Sequence, residues 1–120
     1  PALPSISCDP DSLERAFSAI LDNSIKFSPQ GGQVEITAFK EGGQVTVRVR
    51  DHGVGIPEYA LPRIFDRFYR LEHVGGYMFG GVGLGLSIAH KVIEQHGGSI
   101  EVESALGEGT TFSIRLPASA

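Results

Sequence analysis

The run from Val34 to Asp51 constrains the fold more than any other stretch. Val34, Ile36 and Ala38 alternate with Glu35 and Thr37. After Gly42-Gly43, the residues Val45, Val47 and Val49 alternate with Thr46, Arg48 and Arg50. A period of two is the signature of a strand with one buried face, and a glycine pair between two such runs predicts a β-hairpin. Carried one step further, the period places Asp51 on the same face as the valines. A carboxylate at that position is costly to bury unless a partner meets it. Asp51 therefore reads as a cap at a turn or as a hydrogen-bonding group on the floor of a pocket.

The rest of the chain supplies what would cover the hairpin. Pro1 to Cys8 reads as extended. Asp9 or Asp11 is placed to cap a helix with Pro10 in its first turn. Leu13, Phe17, Ile20, Leu21 and Ser24 then follow helical spacing, and Pro29 ends the helix near Ser28. Pro57 to Tyr69 reads as one or two short helices. Leu71 to Val82 has no clear period and reads as a mobile, Gly-rich loop. Leu84 to His96 is a helix with Gly85, Ile88, Ala89, Val92 and Ile93 on one stripe, ended by Gly97-Gly98. Ile100 and Val102 form a third strand with Glu101 and Glu103 outside. Phe112, Ile114 and Leu116 form a fourth, whose parity puts Thr110 on the inner face. No repeat or second unit is visible, so residues 1–120 read as one domain. The expected product is an antiparallel or mixed sheet covered by helices on one face, with Asp51 and Thr110 at the edge of its apolar surface.

Charge and cysteine content exclude several functions. The formal net charge is −4 and no basic stripe is present, so no nucleic-acid partner is expected. The one basic group, Arg63, Arg67 and Arg70, has helical spacing and suits a small anion. Cys8 is the only cysteine, which excludes an internal disulfide framework and a cysteine-based zinc site. A reducing, cytoplasmic setting fits. No apolar run approaches the roughly 18 residues of a membrane span, and no signal peptide is present. The chain opens on Pro1 rather than Met, so it is expected to be a piece of a longer protein.

Four clusters carry polar chemistry. Asn23 lies about a quarter turn off the core stripe of the first helix, with Lys26 one turn on along the same flank. An amide oxygen beside an ammonium suits a metal–phosphate group, although a solvated helix flank has the same pattern. Asp51 is followed by His52-Gly53-Val54-Gly55. There the glycines permit close backbone approach and the carboxylate can accept from an exocyclic amine such as adenine N6. His52 itself falls on the opposite strand face. In Phe65-Asp66-Arg67-Phe68-Tyr69-Arg70 the phenylalanines read most simply as core, and the arginines could face phosphate. Gly80 to Leu86 enters a helix, and N–H groups at a helix start favour an anion. It is neither a Walker A loop nor a Rossmann fingerprint, since no Gly-Lys-Ser/Thr follows and no strand precedes it.

Taken in order, these clusters resemble the catalytic domain of sensor histidine kinases, within the superfamily that includes gyrase, the Hsp90 chaperones and the MutL repair proteins. Leu21 to Ser28 is similar to the N box, and Asp51 to Gly55 to the first Gly box. Phe65 to Arg70 is similar to the F box, and Gly81 to Leu86 to the second Gly box. His96 to Ile100 and Gly107 to Phe112 match the closing segments, so the resemblance runs from about Asp9 to Pro117. It implies an α/β (α+β) two-layer sandwich of the Bergerat ATP-binding type, a mixed sheet with helices on one face. It also implies ATP and Mg²⁺ as cofactors. Asn23 would bind the metal, Lys26 would lie near the phosphates, and Asp51 would accept from adenine N6 with Thr110 nearby. Gly53 and Gly55 would let the nucleotide approach, and Arg70 would reach the terminal phosphate. Gly81, Gly83 and Gly85, with Leu84 and Leu86, would hinge a lid and present N–H groups to phosphate.

The implied reaction moves the γ-phosphoryl group to a histidine on a separate dimerisation domain, with a response regulator downstream. None of His52, His73, His90 and His96 lies in an acceptor motif, so the domain alone is expected to lack efficient turnover, and because dimerisation in the family resides in that separate domain, the resemblance implies a monomer. Ala19 stands where many members carry a second Asn, and Val82 where a Thr is frequent. Those two positions motivate the other reading, a degenerate nucleotide-binding or partner-docking module. Tyr77, Met78 and Phe79 are expected to pack over the site or contact a partner domain.

Overall fold

A computed structural model of the chain describes residues 8–28, 32–66, 73–74, 77–78 and 85–118. Helix α1 (Pro10–Lys26) is followed by strands β1 (Val34–Glu41) and β2 (Gln44–Asp51). The short strands β3 (His73–Val74) and β4 (Tyr77–Met78) precede helix α2 (Gly85–Gln95), β5 (Ser99–Ala105) and β6 (Gly109–Pro117).

Local chemistry accounts for the helix ends. Asp9 is extended at the N-cap of α1 and Pro10 opens the helix, where a missing N–H costs nothing. The Asp9 carboxylate does not cap the backbone. It accepts the Ser12 hydroxyl at 2.8 Å, and that bond holds its carboxyl below the usual range. At the far end, the Phe27 N–H bonds the Asn23 carbonyl at 3.0 Å. Helix α2 closes in a Schellman motif. Gly97 takes φ 76°, its N–H bonds the Glu94 carbonyl, and the Gly98 N–H bonds the Ile93 carbonyl, both at 3.0 Å.

The main sheet has the order β1-β2-β6-β5, and every pairing among the described residues is antiparallel. Of the antiparallel and mixed forms expected, the described strands take the antiparallel one: two hairpins, β1–β2 and β5–β6, lie side by side through β2 and β6. Their register builds rows across the sheet. Ile36, Val49, Phe112 and Val102 share one row, and Ala38, Val47, Ile114 and Ile100 the next. Both helices pack over this face. Leu13, Ala16 and Ile20 of α1 and Ala89 and Ile93 of α2 join Val49, Ile100, Phe112, Ile114 and Leu116 in one core.

Other sequence expectations change. Ile36 is 56% exposed and Ala38 is exposed, because the helices lie over the inner strands and leave edge strand β1 largely uncovered. Ile88 is 49% exposed. Adjacent helical residues stand about 100° apart, and with Ala89 fully buried Ile88 falls on the solvent side. The described part of Pro57 to Tyr69 holds only a 3₁₀ turn at Leu61–Arg63. Within Leu71 to Val82, read as irregular, His73–Val74 pairs with Tyr77–Met78; the remainder lies outside the described residues, as does Phe79.

Candidate functional site

The end row of the sheet differs from the others: in register it reads Val34, Asp51, Thr110 and Ser104. Three polar residues therefore stand together on the helix-facing side, beside the apolar rows. Asp51 is fully buried and Thr110 is 2% exposed. Asp51 Oδ1 accepts the Gly53 N–H at 2.9 Å, while Oδ2 is buried without a partner. Burial pushes the carboxyl above its usual range, and the Gly53 and Thr110 N–H groups and the nearby Ser24 hydroxyl oppose the shift without cancelling it.

Ser104 organises the row. Its hydroxyl donates to the Gly109 carbonyl at 2.9 Å and accepts the Ile56 N–H at 2.7 Å. Its oxygen lies 2.7 Å from Thr110 Oγ1. Ser104 has one proton and gives it to a carbonyl, so Thr110 is the donor in that pair. Thr110 then has only acceptor capacity left. The row thus offers two acceptors, Asp51 Oδ2 and Thr110 Oγ1. Ser104 did not stand out in the sequence, yet the alternation of Ile100 and Val102 reaches it on the next inward step.

Helix α1 brings a second set of unpaired polar atoms. Ser24 is fully buried, and its hydroxyl and the Asn23 Nδ2 are buried without hydrogen-bond partners. The two ends of an Asn amide are assigned from surroundings, so either end can meet a ligand here. Lys26 is exposed at the end of α1. Among the described residues no group of three His, Cys, Asp or Glu could hold a metal. Mg²⁺ needs no such cage when it arrives on phosphates and keeps its waters, and the Asn23 amide fits that mode when turned so that its oxygen takes the place of the unpartnered Nδ2.

The glycines near Asp51 have reasons of their own. A Cβ on Gly53 would stand 1.9 Å from the Phe27 carbonyl oxygen, against which the next residue, Val54, donates its N–H at 2.9 Å. Gly55 has φ 78°, and a Cβ there would meet the Ala105 carbonyl oxygen at 2.2 Å. One on Gly109 would meet the Asp51 carbonyl oxygen at 2.1 Å. These glycines let the end of α1, the segment after β2 and the β5–β6 turn touch backbone to backbone.

The remaining residues sort as follows. Leu86 is partly buried against the core, and Gly85 is the first residue of α2. Arg67, Arg70, Gly81, Gly83 and Leu84 lie outside the described residues. His52 points to the opposite sheet face, as its parity requires, and meets Glu35 at 2.9 Å with both side chains about half exposed. His96 lies 2.8 Å through Nδ1 from the Val92 carbonyl, which can only accept. Nδ1 therefore carries the proton, and Nε2 accepts the Asp9 N–H at 3.0 Å. His96 thereby ties the end of α2 to the start of α1.

Residues 8–120 match the family model described as histidine kinase-, DNA gyrase B-, and HSP90-like ATPase. The chain belongs to this ATPase family. Within it, the similarity is to sensor histidine kinases. The chain is 38% identical over 114 residues to the sensor histidine kinase WalK of Bacillus subtilis (strain 168), covering 93% of this chain and 19% of that protein. It is 40% identical over 109 residues to the signal transduction histidine-protein kinase ArlS of Staphylococcus aureus (strain USA300), covering 91% of this chain and 24% of that one. The chain thus spans no more than a quarter of these relatives. The solved mycobacterial sensor histidine kinase MprB superposes with a TM-score of 0.84 at 33% identity, over 94% of this chain and 76% of that one. Full-length ShkA, solved with AMPPNP, gives 0.83 at 33% identity over 98% of this chain and 24% of that one. This is an ATPase domain of the sensor-histidine-kinase type, and ATP use goes with the family. None of its described helices is long and apolar enough to cross a membrane.

Proposed function

We propose that this domain binds Mg-ATP against the polar end row of the sheet and donates the γ-phosphoryl group to a histidine on a separate dimerisation domain. The observation that carries the reading is Asp51: fully buried, with Oδ2 unpartnered. A buried, unsatisfied carboxylate oxygen destabilises a free domain and is accounted for by a ligand that donates to it. Adenine N6 carries two N–H groups, and Asp51 Oδ2 and Thr110 Oγ1 are two acceptors in neighbouring register.

From that anchor, Asn23 would hold Mg²⁺ on the phosphates, and Lys26 would offset their charge. Arg70 would reach the γ-phosphate, while Gly81, Gly83 and Gly85, flanked by Leu84 and Leu86, would offer backbone N–H groups. Mg²⁺, when bound, supplies charge neutralisation at the phosphate oxygens. The imidazole nitrogen of the acceptor forms the new bond to phosphorus, the bond to the β–γ bridging oxygen breaks, and ADP leaves. Such transfer depends on positioning and charge stabilisation. The partners are then an acceptor-histidine dimerisation domain and a response regulator, in a cytoplasmic setting.

Calorimetric titration of a non-hydrolysable ATP analogue, with and without Mg²⁺, into the domain and into Asp51→Asn tests the proposal. Binding that Mg²⁺ strengthens and the substitution abolishes is expected. A folded wild-type domain that binds nothing would instead favour the degenerate, partner-docking reading that Ala19 and Val82 raise.

A further inference from the structure

Ser24 stands on the buried stripe of α1, with Leu13, Ala16 and Ile20. It is fully buried, and its hydroxyl has no hydrogen-bond partner. A serine inside a helix can bond back to the carbonyl one turn earlier; this one leaves that bond unmade. Its own carbonyl is engaged, accepting the Ser28 hydroxyl at 2.9 Å. Ser24 is thus a polar side chain at a core position, with a proton that it gives to nothing on its own helix.

The hydroxyl lies beside Asp51. It is near enough to lower the Asp51 carboxyl, yet Ser24 Oγ and Asp51 Oδ2 are each left without a partner. Two buried unsatisfied groups side by side are costly. Rotation of one small side chain satisfies both, with Ser24 donating and Oδ2 accepting. An ionised carboxylate oxygen has a second lone pair, so this bond leaves room for a ligand amine. The other groups that act on the carboxyl come from the far side of the site. The Gly53 N–H meets Oδ1 at 2.9 Å, the Thr110 N–H of β6 also lowers it, and His52 does so by its charge. The polar neighbours Asn23 on α1 and Ser104 on β5 carry no charge.

We propose that Ser24 is a positioning residue for base recognition: its hydroxyl donates to Asp51 Oδ2 and holds the carboxylate in place for the ligand's amine. It acts through Asp51 and needs no contact of its own with the base. The inference rests on the proposed nucleotide site and adds a pH signature to it. A hydrogen bond to the charged form favours that form, so without Ser24 the carboxyl takes up its proton at higher pH. Nucleotide binding then fails earlier on acidification, while a fully ionised Asp51 binds as before.

The test is run in a His52→Gln background, which removes a titrating neighbour, and compares that parent with Ser24→Ala and Ser24→Cys. The dissociation constant of a non-hydrolysable ATP analogue with Mg²⁺ is measured from acid to alkaline pH. The Asp51 carboxyl carbon is followed by NMR in the nucleotide-free domain, and thermal unfolding at each pH shows that every variant is folded. Titration of the analogue's phosphates is common to all three proteins and cancels in the ratio to parent. Ser24→Ala is expected to bind about tenfold more weakly on the acid limb, the effect of one hydrogen bond to a charged group, and equally well at alkaline pH. Its Asp51 midpoint should move to higher pH. Ser24→Cys, similar in size and a weaker donor, should fall between. Weakening by the same factor at every pH would reduce Ser24 to packing and overturn the proposal, as would no weakening at any pH. An unmoved Asp51 midpoint would overturn it whether or not nucleotide binds. A parent that binds no analogue, with a midpoint that moves in Ser24→Ala, would instead defeat the nucleotide-site reading and the base-recognition role with it, and leave the Ser24–Asp51 bond standing.

Discussion

A fully buried carboxylate with one oxygen unpaired makes Asp51 a cost to the unliganded fold and, on the proposed reading, an asset to the nucleotide complex. Its carboxyl is raised above 3.8 in the folded domain, chiefly by burial. Between 3.8 and that raised value the native state holds more protons than the unfolded state, so stability falls as pH rises through this window. The whole penalty is present above it. Asp51→Asn removes the ionisation, and the apo domain is expected to gain about 1 kcal/mol at neutral pH. The pH–stability curve should also lose its fall in that window. Thermal unfolding of both proteins from acid to neutral pH reads both effects; a mutant less stable than wild type at neutral pH would contradict the account. On the proposed reading the same ionisation governs the ligand. The charged form is the better acceptor for an amine, so nucleotide affinity should weaken as acidification protonates Asp51. Binding near the raised pKa should then release a proton, which appears as a buffer-dependent enthalpy in calorimetry.

At the scale of elements, the site is a junction of three backbones, and here sequence reading reached its limit. Strand parity made Asp51, Thr110 and the outward turn of His52 legible, because period two is a local property. It could equally have delivered Ser104. The role of Gly53 was not legible, since nothing local brings Phe27 to it; that approach comes from the packing of α1 on β2. Nor could alternation show that Ile36 would be exposed, because an edge strand and a central strand can share one pattern and differ only in what covers them. The junction carries its own prediction. A Cβ on Gly53 collides with the Phe27 carbonyl, a backbone atom with no rotamer to yield. Gly53→Ala should therefore cost about 2–3 kcal/mol, seen as a lowered unfolding midpoint with no nucleotide present. A midpoint equal to wild type, with only nucleotide binding impaired, would assign the glycine to the ligand alone. At the opposite end of α1, His96→Leu should cost about 1 kcal/mol through two lost hydrogen bonds, since the Asp9 N–H is exposed to water and the Val92 carbonyl keeps the His96 backbone N–H. His96→Gln, which has an acceptor and a donor to offer, should cost less.

On the proposed reading the domain is a phosphoryl donor, and none of the three histidines with described side chains, His52, His90 and His96, is placed as an acceptor. The polar row, Asn23 and Ser24 gather on the helix-facing side of the sheet, whereas His52 lies on the reverse face against Glu35. His90 is stacked on Phe65, and His96 has a polar partner at each ring nitrogen. An imidazole that attacks phosphorus needs an in-line approach with an unoccupied lone pair. At His96 one nitrogen carries the proton and the other's lone pair accepts the Asp9 N–H. His52 would have to pass through the sheet. Phosphotransfer is therefore expected to need a histidine supplied from another domain. Incubated with γ-labelled ATP and Mg²⁺, the isolated domain should acquire no acid-labile label. Adding a sensor-kinase dimerisation domain in trans should place label on that domain's histidine and nowhere else, and replacing that histidine should abolish it. Label retained by the isolated domain at a rate matching the mixture would show an acceptor within this chain. The division between a phosphate-donating unit and a separate acceptor would then be wrong. Label on the added domain that persists in Asp51→Asn would leave that division standing and move the adenine anchor elsewhere.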